Sequence, residues 1–337
     1  LSQTARALVA FDKGLLAIDE SVATCNRRFA RLGITQDEPT RRAYREMIIT
    51  TPGLGECISG VILFDETVRQ RTTGGVPFLT VLAEAGITAG IKVDLGAKPM
   101  AGHPGERVTE GLDGLRERLG GYAGLGLRFA KWRAVFTIGA LTPSRACIEA
   151  NAHALARYAA LCQEAGLLPI VEPEVLMTGE HTLSRCGDTT EEVLHEVFIQ
   201  LRTQGVALEG MLLKPNMILA GSGCRAPETA LTVADATIAC LRRTVPAAVA
   251  GIAFLSGGQS GDLASSRLNA INAQSTRLPW PVAFSFGRAI QQPALTIWAG
   301  RDANVARAQQ ALLQRSTSNQ DARRGEYVPS FEQAGTS

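Results

Sequence analysis

Gly210-Met-Leu-Leu-Lys-Pro-Asn-Met217 (GMLLKPNM) is an apolar run that ends on a charge. Met211, Leu212 and Leu213 read as a strand buried on both faces, and Pro215 stops it because proline has no N–H to give to a sheet. A lone lysine at a strand end ordinarily reaches for water. What the rest of the chain places at its strand ends decides whether Lys214 does so or is held inside.

Seven further runs share this form: Gly14–Glu20, Gly60–Glu66, Gly86–Asp94, Phe129–Ile138, Leu167–Val175, Gly251–Gly258 and Trp280–Gly287. Runs of four to eight apolar residues without alternation suit strands of a parallel sheet. Helical patterns lie between them. Thr142-Pro143 reads as an N-cap with proline at the first helical position, followed by the stripe Ile148, Ala152, Leu155, Ala159 and Cys162. Thr189 and Glu192 fit a capping box ahead of Val193, Val197 and Leu201. Pro227 opens a third helix, with Leu231, Ala234, Ile238 and Leu241 on one side, that ends before Pro246. Eight strands alternating with helices predict an α/β fold, a single-domain (β/α)₈ TIM barrel over residues 1–311. The rival open, doubly wound sheet usually carries GxGxxG after its first strand, where Asp19-Glu20-Ser21 stands instead. Beyond Ala311 the apolar period fades, so 312–337 reads as a polar, mobile C-terminal tail.

Bulk properties narrow the function. Among 337 residues, 34 basic and 32 acidic side chains leave a net charge of +2, which gives no field for nucleic acid or a membrane surface. No apolar run reaches the roughly 18 residues of a membrane span, and no secretory leader is read at Leu1. Seven cysteines at wide spacings without a CxxC pair suit reduced thiols in a cytoplasmic compartment, with the plastid stroma as the alternative. The four histidines show neither HxH nor HExxH spacing, so no metal site is expected.

In a barrel the C-terminal strand ends meet at one face. This chain puts Asp19-Glu20 there on the first strand, Lys92 and Asp94 on the third, Lys131 and Arg133 on the fourth, Glu172 and Glu174 on the fifth, and Lys214 on the sixth. Residues two apart share a strand face, so Lys131 with Arg133, and Glu172 with Glu174, point inward together. Structural ion pairs are the plain alternative, yet burying many charges gains little stability because desolvation offsets attraction. Neighbouring strands lie about 4.8 Å apart, which sets the two glutamates between Lys131 and Lys214. A lysine in partly apolar surroundings beside another cation has a lowered pKa, and its neutral amine attacks a carbonyl to form a Schiff base, with a carboxylate shuttling protons. The last two strands end in Ser256-Gly-Gly-Gln-Ser260 and Ser285-Phe-Gly-Arg288, where barrels commonly bind phosphate. Arg27-Arg28, with Ser21 and Thr24, forms a second basic group for a second phosphate.

The motifs LAIDES (16–21), GIKVD (90–94), FAKWR (129–133), IVEPE (170–174), LLKPNM (212–217), FLSGGQS (254–260), LNAIN (268–272) and FSFGRA (284–289) stand in one order over nearly the whole chain. In this the sequence resembles the class I (Schiff-base) fructose-1,6-bisphosphate aldolases. The resemblance implies metal-independent, reversible cleavage of fructose 1,6-bisphosphate to dihydroxyacetone phosphate and glyceraldehyde 3-phosphate, in glycolysis, gluconeogenesis or the Calvin cycle. It implies no cofactor beyond a covalent lysine imine, and a homo-oligomer, tetramer or dimer. By the same resemblance Lys214 forms the imine, Glu172 is the general acid/base supported by Glu174, Asp19 orients the substrate hydroxyls, and Lys131 stabilises charge near the reacting carbons. Arg133 and Lys92 bind substrate. Ser256, Gly257, Ser285, Gly287 and Arg288 serve the 1-phosphate; Ser21, Thr24 and Arg28 serve the 6-phosphate. Well-known members end in a tyrosine that assists enamine protonation, whereas Gln-Ala-Gly-Thr-Ser337 ends this sequence and Tyr327 stands at the base of the tail. A Schiff-base barrel acting on sedoheptulose 1,7-bisphosphate, a transaldolase-like activity, a metal-dependent aldolase and a non-catalytic barrel scaffold are the competing readings.

Overall fold

A computed structural model describes residues 1–226, 228–274 and 277–329. Eight parallel strands close into a barrel: β1 (Gly14–Ala17), β2 (Ile58–Leu63), β3 (Thr88–Lys92), β4 (Phe129–Phe136), β5 (Leu168–Val175), β6 (Leu212–Leu213), β7 (Ile252–Phe254) and β8 (Val282–Phe286), with β8 paired back to β1. Each overlaps one of the eight apolar runs, so the expected TIM barrel is the observed fold. One addition was not legible. A two-stranded antiparallel ribbon, Ala97–Pro99 with Arg107–Thr109, lies between β3 and β4.

β5 is a central strand that contains Pro169 and Pro173, which is unusual because each removes a ladder donor. Side chains serve the neighbouring N–H groups. Ile170 N donates to Tyr158 Oη at 3.2 Å, and Val175 N donates to Asn216 Oδ1 at 2.9 Å. Tyr158 in turn donates to Ala130 O at 2.7 Å and stacks on Trp132, so the helix Arg145–Glu164 is fastened to β4 and β5 together.

The lower half of the barrel is packed solid. Leu15, Ile62, Phe129, Leu168, Ile170 and Leu212 meet Ala5, Leu8 and Val9 of the N-terminal helix Ser2–Leu8 and its cap, which plugs the base. Arg323 donates to Val9 O, Ala10 O and Lys13 O and so ties the C-terminal helix to that plug. Glycines make room for the two large rings inside. A Cβ on Gly90 would sit 2.2 Å from Phe129 Cε2, and one on Gly14 would sit 2.6 Å from the Phe284 ring. Gly90→Ala is therefore expected to cost about 1–3 kcal/mol through overpacking, read as a lower denaturation midpoint at unchanged m-value.

Local expectations needed three adjustments. Thr142-Pro143 is a cis bond outside the helix, and Ser144 is the N-cap, accepting from Cys147 N. Thr189 lies within the helix Leu183–Thr203, whose cap is Thr182; Val193, Val197 and Leu201 are buried as expected. Leu231 is exposed, and Thr229 caps its helix, Ala230–Thr244, in a box with Thr232. Pro227 lies outside the described residues.

The barrel expected to end at 311 has its last helix, Val305–Arg324, running on past that point. Residues 312–324, expected in the tail, are thus helical. The reason lies in its buried stripe of Ala308, Leu312, Ser316, Asn319 and Ala322. The polar members are satisfied internally, Ser316 by Leu312 O and Asn319 by Ser265 Oγ, so burial continues after the apolar period has faded. Gly325, at φ +76°, ends the helix in the left-handed conformation. Asn269 and Asn272 of the LNAIN stretch then bind Tyr327 N and Ala322 O. Residues 330–337 of the expected tail lie outside the described residues. Among the described residues, no helix is long and apolar enough to cross a membrane.

Candidate active site

The strand ends open into a cavity of about 1350 Å³, and every residue expected at the site lines it. Parallel pairing sets their relative heights. Lys92 is level with Lys131 across β3 and β4, and Arg133 is level with Glu172 across β4 and β5. Like charges side by side repel, and each lysine turns to its own carboxylate. Lys92 Nζ meets Asp94 Oδ1 at 2.6 Å, whereas Lys131 Nζ lies 2.7 Å from Asp19 Oδ2 and 3.0 Å from Glu172 Oε2.

Lys214 follows directly on β6, where its N–H continues the ladder to Val171 O at 2.8 Å. Its ammonium nitrogen reaches Glu172 Oε1 at 3.3 Å. Glu172 thus bridges the two lysines through its two oxygens. Both lysines are only 3 % exposed, so Lys214 is not a solvated strand end. Glu174 departs from expectation. Instead of standing between the lysines, it accepts from Arg133 Nε at 2.5 Å, because it sits one inward position further along the strand.

The electrostatics separate the two lysines. Burial, helped by the nearby Lys131 ammonium, pulls the Lys214 pKa down against the opposing pull of Glu172. Lys131 suffers the same burial, but Asp19 and Glu172 outweigh it and raise its pKa. Burial would raise Asp19, yet Lys131 and Lys214 hold it at about 2. Glu172 is likewise held below its ordinary value, with Lys131 and Lys214 overcoming burial. The ring at rest therefore holds an ionised Glu172 beside the lysine most ready to lose its proton. Replacing Lys131 with Met removes the nearby cation and leaves Asp19 and Glu172 facing Lys214 alone. Both changes favour the ammonium, so the Lys214 pKa rises. The acid limb of borohydride trapping with a ketose phosphate is expected to move to higher pH.

The phosphate-type loops lie at the far strand ends. Gly257 and Gly258 take φ of +58° and +95°, which a residue with a side chain rarely adopts, and bring the loop beside Arg288. The helix Arg288–Trp298 starts directly after Gly287, so its free N–H groups face the cavity mouth. Ser285 Oγ is buried on the cavity wall without a hydrogen-bond partner, an orphan that a ligand oxygen would satisfy.

At the opposite end Ser21 caps the helix Val22–Ala30 and accepts from Thr24 N. Arg28 lines this end of the cavity as well, held by contacts within the protein. Its guanidinium is buried and engaged by Glu20 and by Gln291 Oε1, the latter at 2.8 Å, and Glu20 is held a second time by Arg45 at 2.9 Å. The adjacent Arg27 is exposed, bonds Thr24 Oγ1 at 3.0 Å and lines the cavity. Helical spacing was the available signal: Thr24, Arg27 and Arg31 share one face, whereas Arg28 belongs with the buried Cys25 and Phe29. Asp94 also carries more than its motif implied. Besides Lys92 it accepts from Gly96 N at 3.1 Å and Arg133 N at 3.2 Å, stitching β3 to β4.

Comparison with known proteins agrees with this geometry. The family model for fructose-bisphosphate aldolase class-I matches residues 1–337. A probable fructose-bisphosphate aldolase class 1 of Xanthomonas campestris is 54 % identical over 328 residues, covering 97 % of this chain and 98 % of that protein. The cytosolic fructose-bisphosphate aldolase 5 of Arabidopsis thaliana is 50 % identical over 330 residues, covering 97 % and 91 %. Among solved structures, the fructose-bisphosphate aldolase of Plasmodium falciparum, crystallised with TRAP and a small-molecule inhibitor, superposes with a TM-score of 0.96 at 45 % identity over 97 % of this chain and 95 % of its own. A barrel with a buried, pKa-lowered lysine in an ionic ring, matched over its full length by one family, has one assignment: the chain belongs to the class I fructose-bisphosphate aldolases.

Proposed function

We propose the following assignment of residues to the family's activity, the metal-independent cleavage of fructose 1,6-bisphosphate through a lysine Schiff base. The observation that carries it is the Lys214–Glu172–Lys131 contact, which places a depressed amine, a carboxylate and a persistent cation within 3.3 Å steps of one another.

Lys214, as the neutral amine, attacks the ketone carbon of the open-chain sugar. Glu172, ionised at rest, takes the ammonium proton as Lys214 becomes neutral and gives it to the ketone oxygen as the carbon–nitrogen bond forms; it then takes a proton from the carbinolamine nitrogen and gives it to the hydroxyl, which leaves as water and yields the iminium. A carboxylate then accepts the proton of the hydroxyl on the fourth carbon. As its oxygen forms the aldehyde, the bond between the third and fourth carbons breaks, and the electron pair flows into the iminium to give an enamine. Glu172 serves this step as well, with Glu174 fixing Arg133 against the substrate. Asp19 orients the hydroxyls, and Lys131 stabilises negative charge on the reacting oxygens. Protonation of the enamine and hydrolysis of the imine release dihydroxyacetone phosphate and restore Lys214.

The 1-phosphate is received by Ser256, Gly257, Ser285, Gly287 and Arg288 on backbone and side-chain donors. Ser21, Thr24 and Arg27 receive the 6-phosphate, with Lys92 on the wall between; Arg28 supports that end from below. The name of the Arabidopsis relatives supports a cytoplasmic compartment, and the seven free cysteines suit it. A homo-oligomer is the family expectation, read by light scattering on the purified protein.

The deciding experiment treats protein with fructose 1,6-bisphosphate and borohydride, then maps the adduct by mass spectrometry. One adduct, on Lys214, is expected, together with full activity in excess chelator. An adduct on another lysine, or activity lost to chelation, sinks the assignment.

A further inference from the structure

Gln291, which engages Arg28 but has been given no role in the reaction, is completely buried beneath the site and bonds through both the oxygen and the nitrogen of its amide. Its Nε2 donates to Ala17 O at 2.5 Å. Its Oε1 accepts from Arg28 Nη1 and from Tyr44 Oη, each at 2.8 Å. Its own backbone N–H donates to Gly287 O at 3.0 Å and so closes the first turn of the helix Arg288–Trp298.

These bonds enclose Asp19. Ala17, two residues before it, is gripped directly. Glu20, the residue after it, is gripped by Arg28, which Gln291 holds in place, and by Arg45 from the other side. Between those fixed points Asp19 has little freedom, and its Oδ2 stays 2.7 Å from Lys131 Nζ. The fourth bond, from the backbone, anchors the same residue to the turn that starts at Gly287.

We propose that Gln291 is a positioning residue that holds Asp19 in register with Lys131 from the base of the helix that carries Arg288. The proposal rests on the reading that Asp19 acts on the substrate. It differs from a general packing role in one respect: its effect on turnover must pass through the Asp19 carboxylate. A carboxylate at position 291 tests this closely. Gln291→Glu keeps the acceptor for Arg28 and Tyr44 but turns a second acceptor toward Ala17 O, so the strand end is pushed away. Gln291→Met keeps the length of the side chain and removes its three side-chain bonds.

The test is a double-mutant cycle with Asp19→Asn, measured on fructose 1,6-bisphosphate in the full chain, with thermal melting followed in parallel. In the Asp19 background, Gln291→Glu is expected to lower kcat about tenfold with KM nearly unchanged, since small misplacements of a reacting group cost that much or more. In the Asp19→Asn background the same change is expected to lower kcat by less than about twofold, while its effect on melting persists in both. Gln291→Met is expected to follow the same pattern. Equal kcat losses in both backgrounds overturn the proposal and leave the reading of Asp19 intact. An Asp19→Asn variant with undiminished kcat overturns that reading, and the proposal with it. Failure of both position-291 variants to yield folded protein also overturns the proposal, in favour of a purely structural role.

Discussion

Lys214→Ala is expected to lose at least about 10⁴-fold in kcat and to take up no label from substrate and borohydride. The size of the loss follows from the chemistry. Without the imine the sugar has no electron sink for the carbanion, and none of the remaining groups supplies one. The substitution also spares the fold. Glu172 keeps Lys131 at 3.0 Å, so no buried carboxylate is left unpaired, and Asp19 keeps Lys131 at 2.7 Å. Substrate binding measured by calorimetry is expected to survive, because the proposed phosphate contacts lie on other loops. Turnover within tenfold of the unaltered protein would sink the mechanism, and loss of binding together with turnover would point to misfolding.

Glu172→Gln is expected to cost about 10²–10⁴ in kcat, the usual range for a positioned proton-transfer group. It carries a second signature with a defined sign. The Glu172 carboxylate holds the Lys214 pKa up against burial and Lys131. Removing its charge therefore lowers that pKa further, and the acid limb of borohydride trapping is expected to move to lower pH. Lys131→Met moves the same limb to higher pH. Opposite displacements of one titration by two neighbours of opposite charge are hard to obtain from general disruption. Displacements in the same direction would show that electrostatics of this ring do not set the lysine's reactivity.

The barrel itself was readable because buried parallel strands leave a plain signal, continuous apolar runs closed by charge or glycine. The buried lysine proposed to react was readable for the same reason, since Lys214 interrupts such a run where a barrel gathers its strand ends. Pairing choices were less visible. Periodicity told that Glu172 and Glu174 face inward, but not that one bridges two lysines while the other takes Arg133. That outcome depends on the stagger between β4 and β5, which brings Arg133 level with Glu172 and leaves Glu174 further along. Arg27 and Arg28 both line the cavity, and helical spacing separates their faces, but the partners that engage Arg28, Glu20 and Gln291, are set by how their helix packs against the barrel.

The polar stripe of the last helix was missed because Ser316 is satisfied by Leu312 O within its own helix and Asn319 by Ser265, far away in the chain, so neither betrays its burial by being apolar. Gln291 was missed for a like reason: nothing local distinguishes it from Gln292, and its three side-chain bonds go to β1 and to two helices. By itself, then, the sequence determined the strands, their order, the charged strand ends and the lysine among them, since each is written in a short stretch with its own period. Only the tertiary structure decided which charge meets which, because ion pairs and buried amides form between segments far apart in the chain. Their partners are chosen by strand stagger and helix tilt, which the packing of the whole barrel sets.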